Sequence, residues 1–312
     1  DRLPTDITII DSLKTERNFA NYQLGLIYKE KFNENLLAAE KLENVLASNA
    51  EERLILPSKY NLYKIYEEVG SPLKETMKAD IIANHADSRY AEILLNPQAV
   101  LADSSDSPEK RYESLFKQYQ EQHYLQVITG AEENINRFTG DPIVPKFEML
   151  KANAIGRLQG FELFKEALTY PNNPEGKKAE QMIAEQLPKL EQKEFSPETD
   201  SKGTSNWKVV FPFKRSNNEK ALKLMELLEK SITDLKYKNK ISKDIYNLED
   251  QFVVVHGFKS KDYALGYAEL LKNNKDYRVA DENFVVLSEN YKIIQVHKNI
   301  IDYRNTLLTP KP

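Results

Sequence analysis

The sequence contains no cysteine, which excludes disulfides, thiol nucleophiles, iron–sulfur clusters and zinc–thiolate sites. It has no apolar run near the roughly 18–20 residues that a membrane-spanning helix needs. It also lacks a charge excess: 48 acidic residues stand against 44 basic ones, for a net charge of −4. A dedicated nucleic-acid binder concentrates positive charge, so nucleic acid is not an expected partner. There is no glycine-rich phosphate loop, no GxSxG elbow and no HxH or HExxH spacing. The histidines, His85, His123, His256 and His297, fall in four separate elements, so no metal or cofactor is expected. The carboxylate pairs Glu67–Glu68 and Glu132–Glu133 diverge by about 100° on a helix and read as surface charge. No motif supports catalysis, and a non-catalytic protein is the expectation.

What is present suits an elongated molecule. The 312 residues have room for two domains, and 40% hydrophobic with 29% charged residues fits a chain of high surface-to-volume ratio. The start, Asp1-Arg2-Leu3-Pro4, does not resemble a signal peptide and reads as the edge of an excised fragment.

A repeat emerges from spacing. Leu24 and Tyr28 are four apart and share a helix face, and Gly25 sits where a neighbouring helix can approach closely. After Asn33-Glu34-Asn35 comes a second apolar set, Ala38, Ala39, Leu42, Val45 and Leu46. Together these make an αα-hairpin with the tetratricopeptide pattern Leu-Gly-x-x-Tyr…Ala…large apolar, extended by one residue. Leu62, Tyr63 and Tyr66 repeat it 38 positions on, followed by the turn Val69–Pro72 and by Met77, Ala79, Ile81 and Ile82. A third unit has Leu115, Phe116 and Tyr119, then Val127, Ile128, Ala131 and Ile135. A fourth has Leu150, Ala154 and Leu158, then Phe161, Phe164, Ala167 and Leu168. Asp103–Pro108 is expected to be a surface loop. His85–Ala91 and Tyr170–Pro174 read as joints between repeats, and a last helix is expected to end near Leu190.

Beyond a polar, aperiodic stretch the period becomes two. Trp207, the sole tryptophan, alternates with Val209, Phe211 and Phe213, which favours a place in the core over one on an exposed sheet face where it would stack on a sugar ring. Pro212 ends this strand or puts it at an edge. Ala221, Leu224, Met225, Leu228, Ile232 and Leu235 form a helical stripe. Strands over 240–248 and 251–258 are expected to join at a Glu249–Asp250 turn. A helix capped by Ser260 then buries Ala264, Tyr267, Ala268 and Leu271. Phe284–Leu287 and Tyr291–Val296 supply the last strands, with His256 and His297 as neighbours on the sheet. The expected class is α+β: an N-terminal α-solenoid of tetratricopeptide-like hairpins over 17–190, a linker over 191–206, and a small βαββαβ (split βαβ) domain over 207–304. Both helices of that domain pack on one face and leave the other open.

Residues 19–190, the stretch from Asp250 through Val255-His256-Gly257-Phe258 to Leu271, and Ser288 to Asn299 carry a resemblance. The chain resembles the C-terminal part of the SprE or PorW type of tetratricopeptide lipoprotein in the type IX secretion and gliding-motility machinery of Bacteroidota. That resemblance implies a periplasmic, outer-membrane-associated scaffold whose partners are the periplasmic ring proteins and the outer-membrane translocon. Membrane attachment would come only through a lipid anchor upstream of Asp1. The second module is also similar to the SPOR domains, which bind peptidoglycan, and so implies an alternative function as a glycan-binding envelope module. For the scaffold, the partner groove is expected along the first helices. Counting from Leu24, Leu62 and Leu115 gives Tyr22, Lys29, Tyr60, Lys64, Glu113 and Lys117 as its lining.

Overall fold

A computed structural model describes residues 5–97, 107–168, 184, 185, 188, 190–198 and 206–308. Positions 103–106 of the loop expected over Asp103–Pro108, the joint Tyr170–Pro174, most of the helix approaching Leu190, and positions 199–205 of the linker lie outside the described residues. The protein is α+β, with helices first and a four-stranded antiparallel sheet after them. It divides into two units. Described residues up to Lys117 and those in 126–151 belong to the first. Residues 118–125, 152–168 and the described part of 181–312 belong to the second. The grouping thus differs from the expected boundary near 190, because 118–125 and 152–168 pack with the sheet-bearing part of the chain.

In the first unit, helix α1 (Ile7–Ile27) starts at Asp6, whose carboxylate accepts the Thr8 amide at 2.9 Å. It begins ten residues before the expected repeat region. A wider π turn, Tyr28–Phe32, extends it until Asn33 turns left-handed at φ 56°. Helix α2 (Asn35–Ala47) buries Ala38, Ala39, Leu42 and Val45, the stripe that spacing predicts. Gly25 permits this approach: a Cβ there would stand 2.7 Å from the Leu42 side chain. Leu24, expected in the core, is 40% exposed. The buried line of α1 runs through Asn18, Tyr22 and Gly25, and Leu24 lies about 100° off it.

Helix α3 (Glu52–Glu68) and helix α4 (Leu73–Asn84) form the second hairpin around Leu62, Ile65, Tyr66 and Ile81. Ser88 caps α5 (Arg89–Leu95) by accepting the Ala91 amide at 3.2 Å, so the joint at 85–91 does start a new helix. Helices α6 (Pro108–Gln120) and α7 (Tyr124–Arg137) form the third hairpin, and α8 (Val144–Gln159) with α9 (Phe161–Ala167) the fourth. These three long helices contribute residues to both units.

In the second unit, β1 (Trp207–Lys214), α10 (Asn218–Asp234), β2 (Lys240–Ile245), β3 (Asp250–Phe258), α11 (Lys261–Asn273) and β4 (Phe284–Leu287) follow in the expected order. The sheet order is β2-β3-β1-β4 and every pair is antiparallel. β1 pairs with β3 along its length but with β4 only over Trp207–Val210. Pro212 therefore faces a local edge, where its missing N–H costs no ladder bond. The β2–β3 turn occupies 246–249, earlier than expected. The Asn247 side chain accepts the Glu249 and Asp250 amides at 2.8 and 2.7 Å and releases Asp250 into β3. A bulge at Gly257, φ 88°, shifts the register opposite Trp207 and Lys208.

One sheet face presents Trp207, Val209, Phe211, Val253 and Val255 to α10 and α11, and Trp207 is 2% exposed. The other face was expected to be open, with Tyr291–Val296 as a strand. Instead Ser288–His297 is helix α12, followed by α13 (Ile300–Leu308). Tyr291, Ile294 and Tyr303 from these helices cover Val210, Phe252, Val254 and Val286. Tyr291 and Ile294 are three apart and lie on one side of a helix; a strand would have turned them to opposite faces. The sheet is thus a middle layer.

Candidate functional site

In the first unit, Tyr22 on α1 and Tyr60 on α3 are half-buried. Burial, with a smaller effect from Glu30, pushes the Tyr22 phenol up to about 12. The Tyr60 ring lies 4.6 Å from that of Tyr90 on α5. Lys29, in the π turn, donates to Asn61 Oδ1 on α3 at 2.7 Å. Its partial burial lowers its pKa against the pull of Glu68. Lys64 is 2.6 Å from Glu67, which raises its pKa, and its ammonium stands 5.8 Å over the Tyr63 ring. Four of the six predicted groove residues are thus carried by two first helices that touch each other. Glu113 and Lys117 are exposed on α6, a different helix from those that carry the other four.

The paired carboxylates separate as helix geometry requires. Glu67 meets Lys64 and Tyr63, whereas Glu68 accepts from Asn35. Glu132 pairs with Lys151. Between the second and third hairpins of the same unit lies a cleft of about 570 Å³, lined in part by Glu52, His85, Arg111, Glu133 and Arg137. Its charges are mixed, and His85 lies 3.9 Å from Glu52 and 3.4 Å from Lys59.

In the second unit a polar cluster, not foreseen as a group, lies on the sheet face under α12. Lys208 Nζ is 2.8 Å from His256 Nδ1, and His256 Nε2 is 2.7 Å from Ser242 Oγ. Beside them the Tyr291 hydroxyl donates to Asp244 at 2.6 Å. Burial lowers the His256 and Lys208 pKa values, with Lys208 adding to the effect on His256 and Asp244 opposing both. Burial and Asp244 together hold the Tyr291 phenol well above its usual range. A serine beside a histidine suggests nucleophilic chemistry, but the third partner has the wrong polarity. An ammonium can only donate, so Nδ1 accepts, Nε2 carries the proton, and Ser242 faces no base. Alternation alone places Lys208, Ser242, Asp244 and His256 on one face; the arrival of Tyr291 depends on α12, which was read as strand.

His297 ends α12 and is not a sheet neighbour of His256. It lies 3.1 Å from the Gln192 carbonyl and edge-on to the Phe161 ring at 5.4 Å. Among the described residues, no three histidine, aspartate or glutamate side chains converge as metal ligands. No helix among them is long and apolar enough to cross a membrane. Compared with protein-family models and with curated proteins, the sequence matches none.

Proposed function

We propose that the protein is a non-catalytic scaffold whose first unit is a tetratricopeptide-like solenoid that holds partner segments along its first helices. The observation that carries this reading is the placement of Tyr22, Lys29, Tyr60 and Lys64 on touching first helices, tied by the Lys29–Asn61 bond. Half-buried tyrosines beside lysines offer apolar contact area and hydrogen-bond donors at modest entropic cost, which suits an extended peptide. The resemblance to SprE or PorW lipoproteins makes the type IX secretion and gliding apparatus the proposed setting, in the periplasm at the outer membrane. The ring proteins and the translocon are the proposed partners. The SPOR-like reading of the second unit implied glycan binding on an open sheet face; α12 and α13 occupy that face, so a glycan would need another surface.

The test is chemical crosslinking in native envelopes with the full chain, beside a variant in which Lys29, Lys64 and Lys117 are each changed to Glu. Recovery of secretion components by the parent and their loss from a folded triple variant is expected. Undiminished capture by the variant, or recovery of unrelated proteins alone, would overturn the reading.

A further inference from the structure

The segment Phe195–Glu198 is held in the second unit as a peptide ligand is held in a binding site. Asn290 on α12 is 1% exposed, and its side-chain amide brackets the Ser196 backbone. Its Oδ1 accepts the Ser196 N–H at 2.8 Å and its Nδ2 donates to the Ser196 carbonyl at 3.0 Å. Such a bracket reads main chain, and the Ser196 hydroxyl adds an exposed bond to Glu289 at 3.3 Å. On one side of it the Phe195 ring packs edge-on to Tyr303 at 5.3 Å, beside the cluster that covers the second sheet face. On the other side the Glu198 carboxylate is enclosed, with a side-chain exposure of 10%. It accepts from the Tyr303 hydroxyl at 2.5 Å, Asn290 Nδ2 at 3.3 Å, the Leu287 amide at 3.4 Å and the Lys261 ammonium at 3.1 Å. Pro197, between them, is exposed and has no N–H to satisfy.

The receiving groups come from α11, β4, α12 and α13, four elements that the fold brings together. They select an aromatic residue, read the main chain of one residue on both sides of its Cα, and select a carboxylate three positions after the aromatic. Were the segment to leave, Asn290 would lose its three hydrogen bonds to it and the Tyr303 hydroxyl would keep only the Val285 carbonyl at 3.2 Å, an unfavourable exchange for buried polar groups. A site with that penalty favours refilling by a ligand of the same chemistry. A segment tethered in cis acts at an effective concentration of about millimolar, so it excludes a free competitor until it is weakened.

We propose that this is a peptide-recognition site for extended segments of the form aromatic-x-Pro-acid, occupied in this structure by the chain's own Phe195–Glu198. The site belongs to the second unit and does not rest on the groove of the first.

The probe is a fluorescent peptide of residues 191–200, titrated by anisotropy against the full chain. The parent chain is expected to bind it weakly. The chain carrying Phe195→Ala with Glu198→Ala should bind it about tenfold or more tightly than the parent, and a further Asn290→Ala should reverse that gain. Peptides with alanine at the phenylalanine or the glutamate should lose binding. A double variant with parent-like circular dichroism and Trp207 emission that fails to bind would overturn the proposal, as would equal binding by the parent. Should the double variant not fold, amide exchange in the parent decides. The Ser196 N–H should open well before the Val254 N–H, as a bound segment does; simultaneous exchange of the two would make the segment ordinary core and overturn the site.

Discussion

The two units of the molecule bury apolar residues in different ways. The first repeats one device: α2 lays Ala38, Ala39 and Leu42 against Leu62, Ile65 and Tyr66 of α3, and α4 lays Ile81 against Leu56 of α3 and Ala91 and Leu94 of α5. Its charges pair mostly at the surface, as in Lys14–Asp11 and Lys64–Glu67, where an ion pair contributes little. The second unit is a single construction around one sheet, and both faces of that sheet are covered. It encloses Lys208, His256, Glu198, Asn290 and Lys298, each held by specific partners. A repeat tolerates change at one copy because each hairpin meets only its neighbours. A one-off core with polar groups inside is specified by partners that are far apart in sequence, and so fails at single points.

The largest expected break of this contrast is Phe252→Ala. Phe252 is 1% exposed, stacked on Tyr246 at 4.7 Å, and lies under α12 and α13. Loss of about 3–5 kcal/mol is expected, read as a lower urea midpoint in Trp207 emission, since Trp207 reports from the opposite face of the same sheet. A loss below about 1 kcal/mol would mean that the second face is not a core, and the contrast would collapse.

How much of this was legible follows from the same difference. The hairpins announce themselves because each spacing recurs: Ala38, Ala39 and Leu42 in the first and Val127 and Ala131 in the third are buried at matching positions of one pattern seen several times. The strands and helices of 207–287 are legible from their periods of two and 3.6. Tyr291–Val296 reads as strand although it is helix, because a short apolar run fits both periods and its length does not arbitrate. With it went the open face and the covering Tyr303. Of the proposed groove, spacing alone proposes the tyrosines and lysines; the Lys29–Asn61 bond depends on the π turn, which no pattern signals. The grip on Phe195–Glu198 was invisible because its partners lie about 60 to 105 positions away, in elements whose side-chain directions periodicity does not give.

A smaller effect sharpens the contrast through pH. Lys298 closes α12 in a left-handed conformation, φ 55°. Its ammonium donates to the Arg157 carbonyl at 2.9 Å and to Gln295 at 3.4 Å, and lies 5.1 Å over the Tyr246 ring. Burial first, and the charge of Arg157 second, lower its pKa from 10.5 to about 7. Below the folded value the lysine is charged in both states and the folded chain bears the full burial penalty. Between about 7 and 10.5 the unfolded chain binds more protons, so this group makes stability rise with pH. Lys298→Met should therefore stabilise the protein at pH 6.5, by on the order of 2 kcal/mol after the lost hydrogen bonds are counted. The gain should shrink toward pH 10. Urea midpoints of parent and variant at pH 6.5 and 9.5 check the sign; a gain that grows with pH would refute the burial of this charge.

The smallest effects set two helical glycines against each other, one from each unit. In α1 an added methyl at Gly25 would meet Leu42 Cγ and Cδ2 at 2.7 Å, and Leu42 is fully buried, so it has nowhere to move. Overpacking of this kind costs about 1–3 kcal/mol, and the better helix propensity of alanine returns up to about 1 kcal/mol. Gly25→Ala should lower stability by a net of about 1 kcal/mol or somewhat more, read as a lower thermal midpoint. In α11 a methyl at Gly266 would meet no atom within 4 Å, and its φ requires no glycine. Only the propensity term acts there, so Gly266→Ala should raise stability by about 0.4–1 kcal/mol. Opposite signs from the same substitution would show that close helix approach, and not backbone freedom, is what glycine supplies in the hairpins. Equal signs would remove the packing argument for the first hairpin.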